Sequence, residues 1–116
     1  MSKQRRDQQH LADIEEAVKR ILDYTADLEY TTFLERPMVQ DAVLRNFQVV
    51  GEATKRLSDK IRSSYPDVPW RNIAGMRDKI VHDYIEIEYQ TVWDVIQKDL
   101  PQILTQIGQI LSETEE

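Results

Sequence analysis

Eight consecutive residues, Arg77-Asp78-Lys79-Ile80-Val81-His82-Asp83-Tyr84, hold the side chains of this 116-residue chain best suited to chemistry. They read R-x-x-x-x-H-x-Y. Arg carries a fixed charge that suits a phosphate. His titrates near neutral pH and can move protons. Tyr adds a phenolic hydroxyl. These are the groups needed to cut or modify a phosphodiester without a metal ion.

Spacing limits how they can cooperate. On an ideal helix Arg77 and Tyr84, seven apart, share a face to within about 20°. Arg77 and His82, five apart, point about 140° away from each other. One straight helix therefore does not aim both at one phosphate. Either the helix ends or bulges near His82, or a second copy of the chain completes the site across a two-fold axis. Asp78 and His82 stand at i, i+4, where a carboxylate would orient the imidazole and favour its charged form. The same pair is equally an ordinary helix-surface contact.

Other chemistries lack residues. The second histidine, His10, lies far from His82 in a polar leader, and there is no cysteine, so no metal cluster is expected. Three glycines, Gly51, Gly75 and Gly108, do not make a phosphate loop. No pattern supports a Ser-based triad. The carboxylates are dispersed over helix faces, and no cofactor is implied.

The net charge of -6 argues against nonspecific nucleic-acid binding by the whole surface. The charge is unevenly spread. Between Arg45 and His82 lie eight basic residues (Arg45, Lys55, Arg56, Lys60, Arg62, Arg71, Arg77 and Lys79) and four acidic ones (Glu52, Asp59, Asp67 and Asp78). The octapeptide thus sits in the one basic stretch of an acidic chain, although helix-surface pairing alone could also place charges this way.

The elements that must position the octapeptide are helical. The length fits one domain spanning 1–116, with 1–6 and 112–116 frayed. Leu11, Ile14, Val18, Ile21, Leu22 and Leu28 form the stripe of a helix over 7–28. Thr31 to Leu34 can make a short turn. Val39, Val43, Phe47, Val50, Ala53, Leu57 and Ile61 predict a second helix over 37–61, opened by Pro37. Gly51 in its middle costs about 1 kcal/mol relative to Ala, which suggests a close helix contact there. A third helix runs from Trp70 or Arg71 to about Asp83, with Ile73, Met76 and Ile80 inward. Ile85 to Tyr89 alternates like a strand but has no evident partner, so it reads as a loop. Val92 to Leu111 gives a strong last stripe, kinked or split by Pro101 near Asp99, a potential cap. The sum is an all-α up-and-down bundle of four principal helices. No secretory signal or membrane span is evident, which fits a cytoplasmic protein.

Two blocks and their flanks carry a resemblance. Val50-Gly51-Glu52-Ala53-Thr54-Lys55-Arg56-Leu57-Ser58 is the first, and Pro69 through Tyr84 is the second; Val92-Trp93 and Asp99-Leu100-Pro101 accompany them. The chain resembles the HepT-like branch of the HEPN superfamily, small helical proteins of toxin–antitoxin modules. That resemblance implies a HEPN-type dimeric bundle and a metal-independent endoribonuclease toxin of a type VII-like module. It implies Arg77 and His82 as the catalytic pair, with Asp78 in support, and a homodimer that joins both copies of the motif in one cleft. It further implies RNA as substrate and a minimal nucleotidyltransferase antitoxin as partner, in a hetero-oligomer, transferring AMP from ATP to Tyr84. Two other readings stand beside it. One is a non-catalytic helical dimer that binds a nucleotidyltransferase or a nucleotide, which the net acidity suits. The other is a purely structural helical dimer.

Overall fold

Four apolar residues of the first stripe, Leu11, Ile14, Val18 and Ile21, are wholly buried and begin the core. Full burial of such side chains contributes about 1.5–3 kcal/mol each. The structure, a computed structural model, describes residues 3–83 and 86–114, with residues 3–5, 82 and 83 described by backbone alone.

The first helix, α1, spans Lys3–Thr25. It starts before the predicted residue 7 and stops before Leu28. At its end the Thr25 hydroxyl donates to the Ile21 carbonyl at 2.9 Å, and turn bonds replace the helical pattern. A one-turn helix, α2 (Tyr30–Leu34), buries Phe33, as the short predicted turn requires. Its last carbonyls are satisfied from the next helix: Gln40 Nε2 donates to Phe33 O at 2.9 Å and to Leu34 O at 3.1 Å.

The second long helix, α3, covers Pro37–Lys55 and has Pro37 at its first turn. The predicted continuation to Ile61 does not occur. Ser58 is extended, at φ -68° and ψ 157°, and starts a separate helix, α4 (Asp59–Ser64). Its hydroxyl accepts from Ile61 N at 3.3 Å. Asp7 of α1 stabilises the break. Its carboxylate accepts from Ser58 N at 2.9 Å and from Ser58 Oγ at 2.5 Å. These bonds give a buried acid its partners. The Ser-Asp pair is the sequence signal for a new N-cap.

The predicted third helix is two short ones, α5 (Trp70–Ala74) and α6 (Met76–Ile80), bent at Gly75. Helix α6 does not reach Asp83. Val81 is extended, at φ -119° and ψ 103°, and begins β1 (Val81–Asp83). Its antiparallel partner is β2 (Glu86–Ile87), within the stretch that alternates like a strand and reads as a loop. The strand that completes the pair lies in residues whose apolar spacing also continues the helix before them. Val81 pairs with Ile87 and Asp83 with Glu86, so His82 is the extra residue of a bulge. Glu88 N then donates to Ile80 O at 3.0 Å and closes the hairpin on the end of α6.

The last stripe begins with α7 (Tyr89–Asp94), passes through a π-helical turn over Val95–Asp99, and continues as α8 (Leu100–Thr114). Pro101 has no N–H for the residue four back, and a π turn absorbs the missing bond. Val95 and Leu100 both keep right-handed helical angles. The helix therefore continues through Asp99 instead of restarting on it as a cap. Among the described residues no helix is long and apolar enough to cross a membrane.

Helix α1 packs on α3 and α8, while α3 carries α5 and α6 on another side. The core joins Phe47 and Val50 of α3 to Ile73, Ile80, Ile96, Leu100 and Ile107. Tyr30 and Phe33 meet Trp93 at ring separations of 6.1 and 5.3 Å, and Phe33 meets Tyr89 edge-on at 6.0 Å. These rings tie α2 to the helix that follows the hairpin. The fold is all-α, and among the described residues its strands are the small β1–β2 pair at the motif.

Candidate active site

Met76 and Ile80, four apart, are buried on one side of α6. That anchoring leaves Arg77, Asp78 and Lys79 exposed. Gly51 of α3 brings this turn close to the long helix: a Cβ on Gly51 would stand 3.2 Å from the Ala74 carbonyl oxygen. Between the elements lies a groove of ≈ 260 Å³, lined from α3 by Gln48, Gly51, Glu52 and Lys55 and from the other side by Ala74, Arg77 and Asp78.

Arg77 is 47% exposed, and its Nη1 lies 3.7 Å from Asp78 Oδ1. That contact is loose, solvated and monodentate, so it costs little to exchange for another anion. Gln48 Nε2 donates to Glu52 Oε1 at 3.2 Å, which holds part of the opposite wall. Lys55 has no ion pair among the described residues, and it places a second cation in the same groove as Arg77.

The expected neighbours of Arg77 change accordingly. Helix α6 ends at Ile80, so the i, i+4 pairing of Asp78 with His82 has no helix to support it. Asp78 contacts Arg77. The same end cancels the 140° separation of Arg77 and His82, since His82 sits on the bulged strand. It also cancels the angular argument that put Tyr84 beside Arg77. Tyr84 lies outside the described residues, and His82 is described by its backbone alone.

Sequence reasoning missed the α3 wall. Gln48, Glu52 and Lys55 recur at i, i+4 and i+7 around Gly51, one polar face flanking a residue that permits close approach. That pattern was the available signal. Among the described residues no group of three or more His, Asp or Glu is placed to hold a metal ion. The groove sets two cations, Lys55 and Arg77, beside two carboxylates, Glu52 and Asp78, that already have partners in Gln48 and Arg77; the cations suit binding of a phosphate and stabilisation of charge on its oxygens.

Residues 14–110 match the family described as Ribonuclease HepT-like. A Methanocaldococcus jannaschii protein named "Putative RNase MJ0127" is 38% identical over 105 residues, covering 90% of this chain and 87% of that protein. A second from the same organism, "Putative RNase MJ0125", is 36% identical over 91% of each. A Thermococcus cleftensis protein named "Probable ribonuclease HepT" is 33% identical over 81% of this chain and 86% of its own. No solved structure gives a significant match.

Proposed function

The chain belongs to the HepT-like ribonuclease family, and from that membership we propose that it cleaves RNA as a homodimer through Arg77 and His82. The observation that carries this reading is the position of Arg77. It stands half exposed over a groove shared with Lys55, and among the described residues its ion pair is a 3.7 Å contact that a phosphate can displace.

In this mechanism the RNA supplies its own nucleophile. His82 takes the proton from a 2′-hydroxyl, and the 2′-oxygen attacks the adjacent phosphorus. Arg77 holds the phosphate and stabilises the charge that builds on its oxygens. The bond to the 5′-oxygen breaks, and that oxygen takes a proton back from the imidazolium. The products end in a 2′,3′-cyclic phosphate and a 5′-hydroxyl. Asp78, beside Arg77, holds the guanidinium until substrate arrives. Every atom of the step comes from RNA and the two side chains.

The biological setting we propose is a type VII-like toxin–antitoxin module in which a minimal nucleotidyltransferase neutralises the toxin. It transfers AMP from ATP to the Tyr84 hydroxyl and releases pyrophosphate. The added phosphate brings negative charge and bulk into the motif, where RNA phosphate would otherwise bind.

Incubation of purified protein with RNA in EDTA tests the enzymatic reading. Cleavage is expected for wild type and absent for His82→Ala at unchanged circular dichroism. Cleavage that persists without His82, or that needs magnesium, overturns the mechanism.

A further inference from the structure

A cation-rich concavity of the described surface lies apart from the groove at Arg77. It lies where the first turns of α1 meet the break between α3 and α4, and it encloses ≈ 690 Å³. Arg6 and His10 line it from α1, one helical turn apart, and Arg56, Lys60 and Arg62 line it from the α3–α4 junction.

Two acids share the lining, and both are committed. The buried Asp7 carboxylate spends its oxygens on Ser58, accepting at 2.9 and 2.5 Å. Asp59 accepts from Arg62 at 3.1 Å. Arg6, Arg56 and Lys60 are exposed and make no ion pair with any described residue. The groove is thus a concentration of uncommitted positive charge on a chain of net charge -6. Its lining holds no Phe, Tyr or Trp on which a base could stack. It offers a chain of phosphates charge, and offers bases no reading contact.

Its position connects it to the first groove. Lys55 lines the groove at Arg77, and the next residue, Arg56, lines this one. A strand crossing the end of α3 passes from one to the other. We propose that the α1–α4 groove is a second phosphate-binding subsite that holds the RNA backbone away from the cleaved bond. It recognises single-stranded RNA by charge, without sequence preference. The proposal rests on the ribonuclease reading for its ligand, and it adds Arg6, Arg56 and Lys60 as residues that set length dependence and salt sensitivity.

The test uses the full chain and a fluorescent 2′-O-methyl RNA of roughly a dozen nucleotides, long enough to span both grooves and uncleavable for want of the 2′-hydroxyl. Binding is followed by anisotropy across a salt series for wild type and for Arg56→Gln/Lys60→Gln. The double variant should bind about tenfold more weakly. Its slope of log affinity against log salt should be shallower by about 1.4, or about 0.7 for each phosphate that is no longer neutralised. Arg56→Lys/Lys60→Arg, which keeps both charges, should bind like wild type, and matching thermal melts exclude a folding defect. Cleavage of a dinucleotide, too short to reach the groove, is the separate readout of the Arg77–His82 chemistry. Weaker oligonucleotide binding with the smaller slope supports the subsite, whether or not the dinucleotide is cut. Unchanged affinity and slope in Arg56→Gln/Lys60→Gln overturn it, even if cleavage is robust; an acidic protein partner for the groove would give that result. A wild type that cleaves nothing removes the ribonuclease reading alone.

Discussion

Gly51 and Ala74 are in close backbone approach: a Cβ on Gly51 would come to 3.2 Å from the Ala74 carbonyl oxygen. The contact sets how near α5 and α6 lie to α3, and therefore how near Arg77 lies to Lys55. A Gly51→Ala change adds helix propensity worth about 1 kcal/mol but tightens this contact, so the two effects should nearly cancel in stability. Gly51→Val adds a β-branched side chain beside the Ala74 carbonyl, where even a Cβ is tight. It should cost about 1–3 kcal/mol in chemical denaturation and should reduce RNA cleavage. Full stability and activity in Gly51→Val would mean that the approach of the helices is not needed.

The guanidinium of Arg77 should matter for its shape as well as its charge. Arg77→Ala should lower the cleavage rate on the order of a hundredfold to a thousandfold, the usual loss for a donor aimed at transition-state charge. Arg77→Lys keeps the charge and loses the planar fork, so its rate should lie between those of Ala and wild type. Single-turnover rates with saturating RNA decide this. A Lys variant with wild-type rate would reduce the role of Arg77 to a point charge.

Tyr84 should accept AMP. Intact-mass measurement after incubation with the partner nucleotidyltransferase and ATP should show one or more added adenylyl groups, and loss of RNA cleavage in step with them. Tyr84→Phe should stay unmodified and stay active in the partner's presence. Mass added to Tyr84→Phe would place the modification elsewhere.

Ser58 joins three elements, since it caps α4 and satisfies Asp7 of α1 at the end of α3. Ser58→Ala removes the cap, worth about 1 kcal/mol, and a hydrogen bond to a charged acceptor, worth about 1.5–3 kcal/mol. A total loss of about 2.5–4 kcal/mol is expected from urea unfolding. Asp7→Asn should recover part of that loss in the Ser58→Ala background, because it removes the buried charge left short of partners. A loss below about 0.5 kcal/mol would mean that the α3–α4 break is held by packing alone.

Tyr65 donates to Glu113 Oε2 at 2.9 Å and links the loop after α4 to the end of α8. That bond to a carboxylate, with some desolvation and the Glu113 charge, raises the Tyr65 pKa above the usual phenol value. A raised folded pKa stabilises the fold fully below the unfolded phenol value near 10, and that stability is lost as pH climbs through the folded value. The Tm difference between wild type and Tyr65→Phe should therefore be constant at neutral and mildly alkaline pH and shrink above about pH 10. A difference that grows at high pH would contradict the bond.

Much of the architecture is legible in the residues. The stripes of α1, α3 and α8 name most of the core because periodic apolar side chains have to be buried together whatever the connections. The RNase reading is carried by the resemblance around Arg77 and His82, and residues 14–110 match the same family. Helix ends are less legible. The Ser58 cap, the bend at Gly75 and the strand at Val81 each interrupt a stripe without removing its apolar residues, so periodicity alone runs straight through them.

What the sequence by itself determined is the residue inventory: one Arg, one His and one Tyr within eight residues, in a basic stretch of an acidic, all-α chain. What only the tertiary structure decided is their company. Whether Arg77 and His82 share one helix depends on where α6 stops, and α6 stops because Val81 and Glu88 bond back across a hairpin whose second strand lies beyond the helix. Whether Lys55 and Arg56 serve one groove or two depends on Asp7, fifty-one residues from Ser58, holding the break between α3 and α4. Such long-range hydrogen bonds are set by packing in three dimensions, and no local spacing rule encodes them.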